Sequence, residues 1–368
     1  MTAGAEVEST RHGVLAHGSA GTPSPLPAPE SAAAFAPTPE DSAEALETVE
    51  LGAALERVAA YAAGPLGAAR VRSRRPGDDP AAIAAELARV GEVAALFRRG
   101  DGLTAQPVPD VGRALARLRV EGSVLEGPDL VAIRQALAAA RAVHAELSRV
   151  AREAPRAAEL RRPLPERALD RRLEQALDPE GNLLDGASRG LAAARRAVQA
   201  ARLHLVRRLE ALIRGLDPAT APPDAAVTVR NGRYVIPVRR DSRSRPPGIV
   251  HDESGGGGTL FIEPSETIEL GNALREAQIR EEREALAVLR DLTAMLRPAL
   301  PLLRDAVEMC VAVDDLVARA RYAVAVEGEV PAVAPAPAPL AIRNGRHPLL
   351  LGGTEPVVPF DLELAPEE

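Results

Sequence analysis

Apolar residues return at three- and four-residue intervals in "LETVELGAALERVAAYAAGPLGAARV", "DDPAAIAAELARVGEVAALFRR" and "EGPDLVAIRQALAAARAVHAELSRV", between about residues 46 and 160. That period gathers apolar side chains on one side of a helix, and Gly and Pro punctuate the ends of three helical blocks. In the third block Leu130, Ile133, Leu137 and Ala140 form a stripe that leaves Arg134 and Arg141 nearer solvent. A turn at "DPEGNLLDGAS" then leads into a long helix from about 188 to 215. Along it Leu191, Ala194, Val198, Ala201, Leu205, Leu209, Leu212 and Leu216 repeat near helix or heptad spacing, so the stripe needs a partner. The partner begins after Pro264, where "ETIELGNALREAQIREEREALAVLRDLTAMLR" returns with Leu270, Leu274, Leu289, Leu292 and Leu296. Two antiparallel helical arms are predicted.

Between the arms the period drops to two. "AVTVR", "RYVIPVR", "GIVHD" and "GTLFIEP" read as four short strands separated by turn signals. Asn231-Gly232 favours a tight hairpin because both residues reach positive φ, and Gly255 to Gly258 supply a permissive turn. After residue 298 helical pattern resumes through "AVEMCVAVDDLVARARYAVAV", followed by the linker "EVPAVAPAPAPL" and strand-like segments in "LAIRNGRHPLLLGGTEPVVPFDLEL". Residues 1–44 are rich in Pro, Ser and Ala, which predicts a disordered extension with His12 and His17 facing solvent.

A chain of 368 residues can bury a real core and has room for two or three domains. The hydrophobic fraction is 46%, yet there are only 4 Phe, 3 Tyr and no Trp, so aliphatic packing carries the interior. An aromatic platform for single-stranded nucleic acid is not expected. The net charge of −7 argues against a uniformly basic coat but leaves room for a local patch. All 45 basic residues are Arg, a compositional bias that makes Arg identity alone weak evidence. Cys310 is single, which excludes an internal disulfide and a cysteine-based metal cluster, and it reads as a small buried hydrophobe. Without an apolar signal core or an uninterrupted apolar run of about 18 residues, neither secretion nor membrane spanning is expected, and the expected location is cytoplasmic.

The strongest chemical signal is local charge. Residues 230 to 245 hold Arg230, Arg233, Arg239, Arg240, Arg243 and Arg245 against the single acid Asp241. Guanidiniums held in register by hairpins can position phosphates without reading bases, although basic runs are also common as solvated surface. His251, Asp252, Glu253 and Glu263 invite an acid/base or metal reading; hydrogen bonding at a strand edge is favoured, since the usual paired His or Cys spacing is missing. "SGGGGT" lacks the Lys-Ser/Thr ending of a P-loop and the GxGxxG fingerprint.

The same segment resembles the clamp of the second bacterial MutS family, the homologues associated with suppression of recombination. The matching pattern is "RNGRYVIPV" at Arg230 to Val238, "GIVHD" at Gly248 to Asp252 and "TLFIEP" at Thr259 to Pro264, followed by Glu269, Asn272, Arg275 and Glu276 on a charged helix. The resemblance extends from about residue 46 to 368. It implies a mainly α fold with an inserted small β-rich clamp: a helical core at 45–187, an outgoing lever helix and connector at 188–224, the clamp at 225–264 and a returning lever at 265–297. A helical core return and linker at 298–335 and the incomplete start of an ABC-type ATPase domain at 336–368 would follow. It further implies that the clamp binds double-stranded or branched DNA through phosphates, with structured ribosomal RNA or the ribosome, or a purely scaffolding role, as competing readings. Gly256 and Gly257 stand where the family commonly has Ser, so Ser254 and Thr259 join the six arginines as candidate phosphate contacts.

A complete family member would use ATP and magnesium and form a homodimer, and often carries a nuclease domain. This chain ends before the expected P-loop, so it is expected to be an N-terminal fragment, a split gene product or a truncated reading frame, with no cofactor or catalytic residue of its own and no ATP hydrolysis alone. The Phe-x-Glu arrangement of true mismatch sensors is not apparent.

Overall fold

The computed structural model describes residues 39–334, 337–352 and 356–365; the extension expected over 1–44 lies, as far as residue 38, outside the described residues, as do His12 and His17. The first residues fall in a separate unit that ends at Leu51 and contains one described helix, α1 (Pro39–Thr48). From there the helices are α2 (Leu51–Ala59), α3 (Pro65–Arg72), α4 (Pro80–Arg98), α5 (Gly112–Leu118), α6 (Gly127–Arg149), α7 (Pro155–Ala158), α8 (Arg167–Ala176) and α9 (Arg189–Gly215). Strands β1 (Thr228–Arg230), β2 (Arg233–Arg239), β3 (Gly248–Glu253) and β4 (Thr259–Pro264) come next, then α10 (Ile268–Leu296), α11 (Leu300–Ala325), β5 (Leu340–Gly345) and β6 (Phe360–Leu364).

Helix starts follow local chemistry. Asp79 accepts a hydrogen bond from the Ala81 N–H at 2.9 Å just ahead of Pro80, and Ser188 Oγ accepts from the Leu191 N–H at 3.0 Å to open α9. The first sequence block is not one helix. It divides at Gly64-Pro65, where the Ala63 and Gly64 N–H groups turn outward and donate to the Asp314 carboxylate at 2.7 and 3.0 Å. Gly67 leaves room for that carboxylate, since a Cβ there would lie 2.1 Å from Asp314 Oδ2.

The helical body packs around α11, whose Leu303, Ala306, Met309, Val313, Leu316, Val317 and Ala320 are buried together with Leu130, Ile133, Leu137 and Ala140 of α6. Arg141, expected near solvent, instead turns against α8: it pairs with Asp170 and donates to the Pro165 carbonyl at 2.9 Å. Desolvating its stem against a neighbouring helix is offset by that carboxylate. Two buried acids on α11 were also not anticipated. Asp315, 1% exposed, receives Arg74 in a two-pronged contact (2.8 Å from Nε, 2.6 Å from Nη2) and Arg319 at 3.0 Å, while Glu86 accepts from Arg319 at 3.0 Å. This network ties α4 and the residues after α3 to α11.

Helices α9 and α10 run antiparallel as an arm. Gly190 faces Glu284, Arg195 pairs with Glu281 at 3.3 Å, and Arg208 pairs with Glu266 at 2.5 Å, so one number rises as the other falls. At one end Leu191, Val288, Leu292 and Leu296 belong to the body core. The buried Thr293 fastens that end, accepting the Leu125 N–H at 3.0 Å. At the other end Val198, Leu205, Leu209, Leu274 and Ala277 form a second core with Ile236, Val238, Leu260 and Ile262 of the strands. Between the cores lies a waist of small and polar side chains, Ala193, Ala194 and Ala197 beside Arg280 and Glu284, bordering a cavity of about 310 Å³.

The strands form one antiparallel sheet in the order β1-β2-β4-β3. Arg230 pairs with Arg233 across a two-residue turn in which Asn231 (φ 50) and Gly232 (φ 76) are both left-handed, the conformation a tight hairpin needs. Ile236 faces Ile262 and Val238 faces Leu260, which aligns the apolar residues of β2 and β4 for the second core. Strand β3 pairs with β4 through a bulge between Val250 and Asp252. Further along, β5 and β6 make a separate two-stranded antiparallel sheet with Leu340, Phe360, Leu362 and Leu364 exposed. Arg57 of α2 holds the segment between them by donating to the Leu349 and Leu351 carbonyls at 2.7 and 2.9 Å. Among the described residues no helix is long and apolar enough to cross a membrane.

Candidate nucleic-acid interface

The sheet sits at the end of the arm away from the body, and it divides the six candidate arginines into two groups. Arg230 pairs with Asp252 at 3.0 Å and stacks its guanidinium over the Phe261 ring, 4.5 Å from the centroid. Arg233 reaches Glu263 at 3.4 Å and Asn272 of α10 at 3.0 Å, and Arg240 pairs with Glu253. Acids of β3 and β4 partner these three, with Asn272 of α10 also holding Arg233. Arg239, Arg243 and Arg245 are exposed and have no side-chain partner among the described residues.

The two free arginines of the β2–β3 loop stand on a tethered turn. Ser242 Oγ lies 2.6 Å from Thr220 Oγ1, the Arg239 N–H donates to the Thr220 carbonyl at 2.8 Å, and the Ser244 N–H donates back to Ser242 Oγ at 3.3 Å. Thr220, in the connector after α9, is thereby buried. Such anchoring lowers the conformational freedom that a phosphate contact would otherwise have to remove. The hydroxyl candidates are placed differently. Ser254 Oγ accepts the Thr259 N–H at 3.1 Å and so closes the glycine turn between β3 and β4. That turn, with Gly257 at φ 70, joins two antiparallel strands and feeds no helix, so it does not fit the phosphate cradle of a nucleotide site.

Glu263 is the residue that sequence reasoning did not single out strongly enough. It is 3% exposed, accepts from Arg233, and lies 2.7 Å from His251 Nε2. Its Oε1 would be 2.9 Å from a Cβ at position 271, so Gly271 lets the first turn of α10 close over the carboxylate. The charged network therefore fastens the sheet to the arm. Replacing Glu263 by alanine is expected to destabilise the fold by about 1.5–3 kcal/mol, because the partner of His251 is lost and Arg233 keeps only Asn272. Urea unfolding followed by circular dichroism measures it; Glu263→Gln should recover part of the loss.

Among the described residues no cluster of His, Cys, Asp and Glu converges on a metal position. Cys310 is buried, and burial, with the neighbouring Asp314 charge, pushes its thiol up to about 12, which removes it as a nucleophile.

These elements define a mainly helical protein that presents a small antiparallel sheet at the end of a paired-helix arm. No family model matches the chain. The protein named Endonuclease MutS2 from Gemmatimonas aurantiaca is 39% identical over 328 residues, 88% of this chain and 40% of that protein. Its namesakes from Geobacillus thermodenitrificans and Pelotomaculum thermopropionicum are 35% and 34% identical, each over 87% of this chain and 41% and 40% of their own lengths. The chain belongs to the MutS2 family and corresponds to its N-terminal portion. It spans about 40% of the length of the curated relatives it matches.

Proposed function

We propose that the chain is the nucleic-acid-gripping part of a MutS-family protein, in which the sheet acts as a clamp on duplex or branched DNA and α9 and α10 act as its levers. The observation that carries this reading is the set of unpartnered guanidiniums, Arg239, Arg243 and Arg245, at the end of the arm most distant from the body. Arginines already matched to carboxylates gain less from a phosphate, because the existing pair must first be broken. Arg230, Arg233 and Arg240 in this reading shape the sheet, and the free three contact phosphate. The family relationship supports the same assignment, as it concerns proteins of DNA repair and recombination. Suppression of recombination, ATP with magnesium, a homodimer and the nuclease activity in the relatives' name belong to whole relatives in this reading. None of them is assigned to a residue described here.

The test is binding of the purified chain to labelled duplex DNA, a four-way junction and a structured ribosomal RNA fragment across a salt series. Phosphate-led binding predicts a linear fall of log K with log salt, with a slope of roughly −0.9 per phosphate neutralised on B-form DNA. Three free arginines place that slope near −3. Preference for the RNA by more than about tenfold would move the reading to ribosomal RNA, and binding to neither would leave the sheet as a protein-facing scaffold.

A further inference from the structure

A cavity of about 380 Å³ lies under the β1–β2 hairpin, between the hairpin turn and the helices of the arm. Its lining combines four kinds of chemistry. Leu205 and Leu274 give an apolar floor, Tyr234 an aromatic ring, Asn231 and Gln278 carboxamides, and Arg233 and Arg275 positive charge. Most of this polar capacity is uncommitted. Arg275 and Gln278 have no side-chain partner among the described residues, and neither does the Tyr234 hydroxyl. Arg233 uses only Nη1, on Glu263 and Asn272. Asn231 uses its Nδ2 on the His251 carbonyl at 2.9 Å, which fixes the plane of the amide and leaves its oxygen as an acceptor.

We propose that this cavity binds a single nucleotide, with the base against Tyr234 and the leucine floor and the phosphate on Arg275. Each part of that ligand has a counterpart. A nucleobase offers flat faces for an aromatic ring and an edge of donors and acceptors, for which side-chain amides are suited partners. A phosphate takes the guanidinium that has no carboxylate of its own. The volume, at the lower end of the range for small-molecule pockets, admits one such unit and not two. Asn231, Gly232 and Arg275 are exposed at the rim, so the occupant can remain attached to a longer strand. The nucleotide has two sources: a free nucleoside monophosphate, or one nucleotide unstacked from a strand held by the sheet. The second source rests on the clamp reading above; the first does not.

Two arms separate them. Anisotropy of methylanthraniloyl-labelled AMP measures the free ligand. Fluorescence of duplexes carrying 2-aminopurine at a central mismatch measures an unstacked base, without background from tryptophan because the chain has none. Arg275→Gln and Gln278→Ala probe the cavity, and both positions lack partners whose loss would unfold the arm. Arg119→Gln, exposed on the helical body just after α5 and outside both the cavity and the sheet, is the control. Saturable binding of the labelled AMP that Arg275→Gln weakens by about tenfold or more, with Arg119→Gln unchanged, supports the site for a free nucleotide. A rise in 2-aminopurine fluorescence that Arg275→Gln and Gln278→Ala abolish, while overall duplex affinity stays within about twofold, supports it for a strand-borne one. If neither signal occurs, or both persist in Arg275→Gln, the proposal is wrong. Duplex affinity retained in that case leaves the clamp reading standing, and labelled AMP bound without duplex binding leaves the cavity standing alone.

Discussion

Asp315→Ala is expected to lower folding stability by about 3–5 kcal/mol, the largest effect of any single substitution discussed, because it removes the buried carboxylate that Arg74 and Arg319 share and leaves only the more exposed Glu86 to face both. Asp315 is 1% exposed, so water does not restore what the substitution removes. Glu308→Ala is the matched control. Its pair with Arg70 has a Glu308 side chain 60% exposed, and the expected cost there is below about 1 kcal/mol. Urea denaturation monitored by circular dichroism distinguishes the two; a loss at Asp315 no larger than at Glu308 would show that the network contributes no more than a surface pair.

The same network sets an acid limit. Burial alone would raise Asp315 and Glu86, but the guanidiniums of Arg74 and Arg319 outweigh it for Asp315, and Arg319, Arg89 and Arg74 outweigh it for Glu86. Both carboxyls are thereby held below their ordinary values of 3.8 and 4.5. Such groups bind fewer protons folded than unfolded. Their stabilisation is present in full above the ordinary values and is lost as pH falls through the depressed ones. Asp314 acts in the opposite sense: burial holds it above 3.8, so its ionisation costs stability as pH rises past that value. Asp315→Ala should therefore flatten the acid side of the stability profile as well as lower it.

The second large effect is on binding. Reversing charge in the double variant Arg243→Glu, Arg245→Glu is expected to weaken duplex affinity on the order of 100-fold at low salt, about 1.4 kcal/mol for each reversed contact, and to make the salt slope shallower by about 1.8. Arg240→Glu should do less, because Arg240 is already paired with Glu253. Stability should be unchanged in the double variant, since neither arginine has a side-chain partner among the described residues. An unaltered slope would place the phosphate contacts elsewhere on the chain.

Much of the backbone was legible from pattern alone. Asn231-Gly232 announced its hairpin, the turn ending near Ser188 led into α9, and the leucines of α9 and α10 called for one another. The fate of the charges was not legible. A count of arginines from 230 to 245 is one-dimensional, whereas Asp252, Glu253 and Glu263 arrive from β3 and β4 and take up half of them. Drawing the register would not have shown it, because β4 separates β2 from β3 and Asp252 and Glu253 reach Arg230 and Arg240 without facing them across any ladder. Asp314 and Asp315 did carry a signal: two adjacent acids inside the apolar run "CVAVDDLVARA" have to find donors when the helix is buried on most sides. Nothing in the local pattern named Arg74 as one of those donors, since it lies 241 residues away along the chain.

The waist of the arm gives the molecule a mechanical character that neither core has by itself. With small side chains between two packed ends, the helices have fewer large groups to interdigitate there than in either core, and a bend of the arm is least opposed by packing at that level. Bending there leaves both packed ends intact, so it costs less than tilting the sheet on its own base. From residue 197 to the end of α9 at Gly215 is about 27 Å at 1.5 Å per residue. A bend of about 10° therefore carries the sheet sideways by about 5 Å. The sheet can thus shift by several ångströms as a unit while the residues that hold it together keep every contact they have.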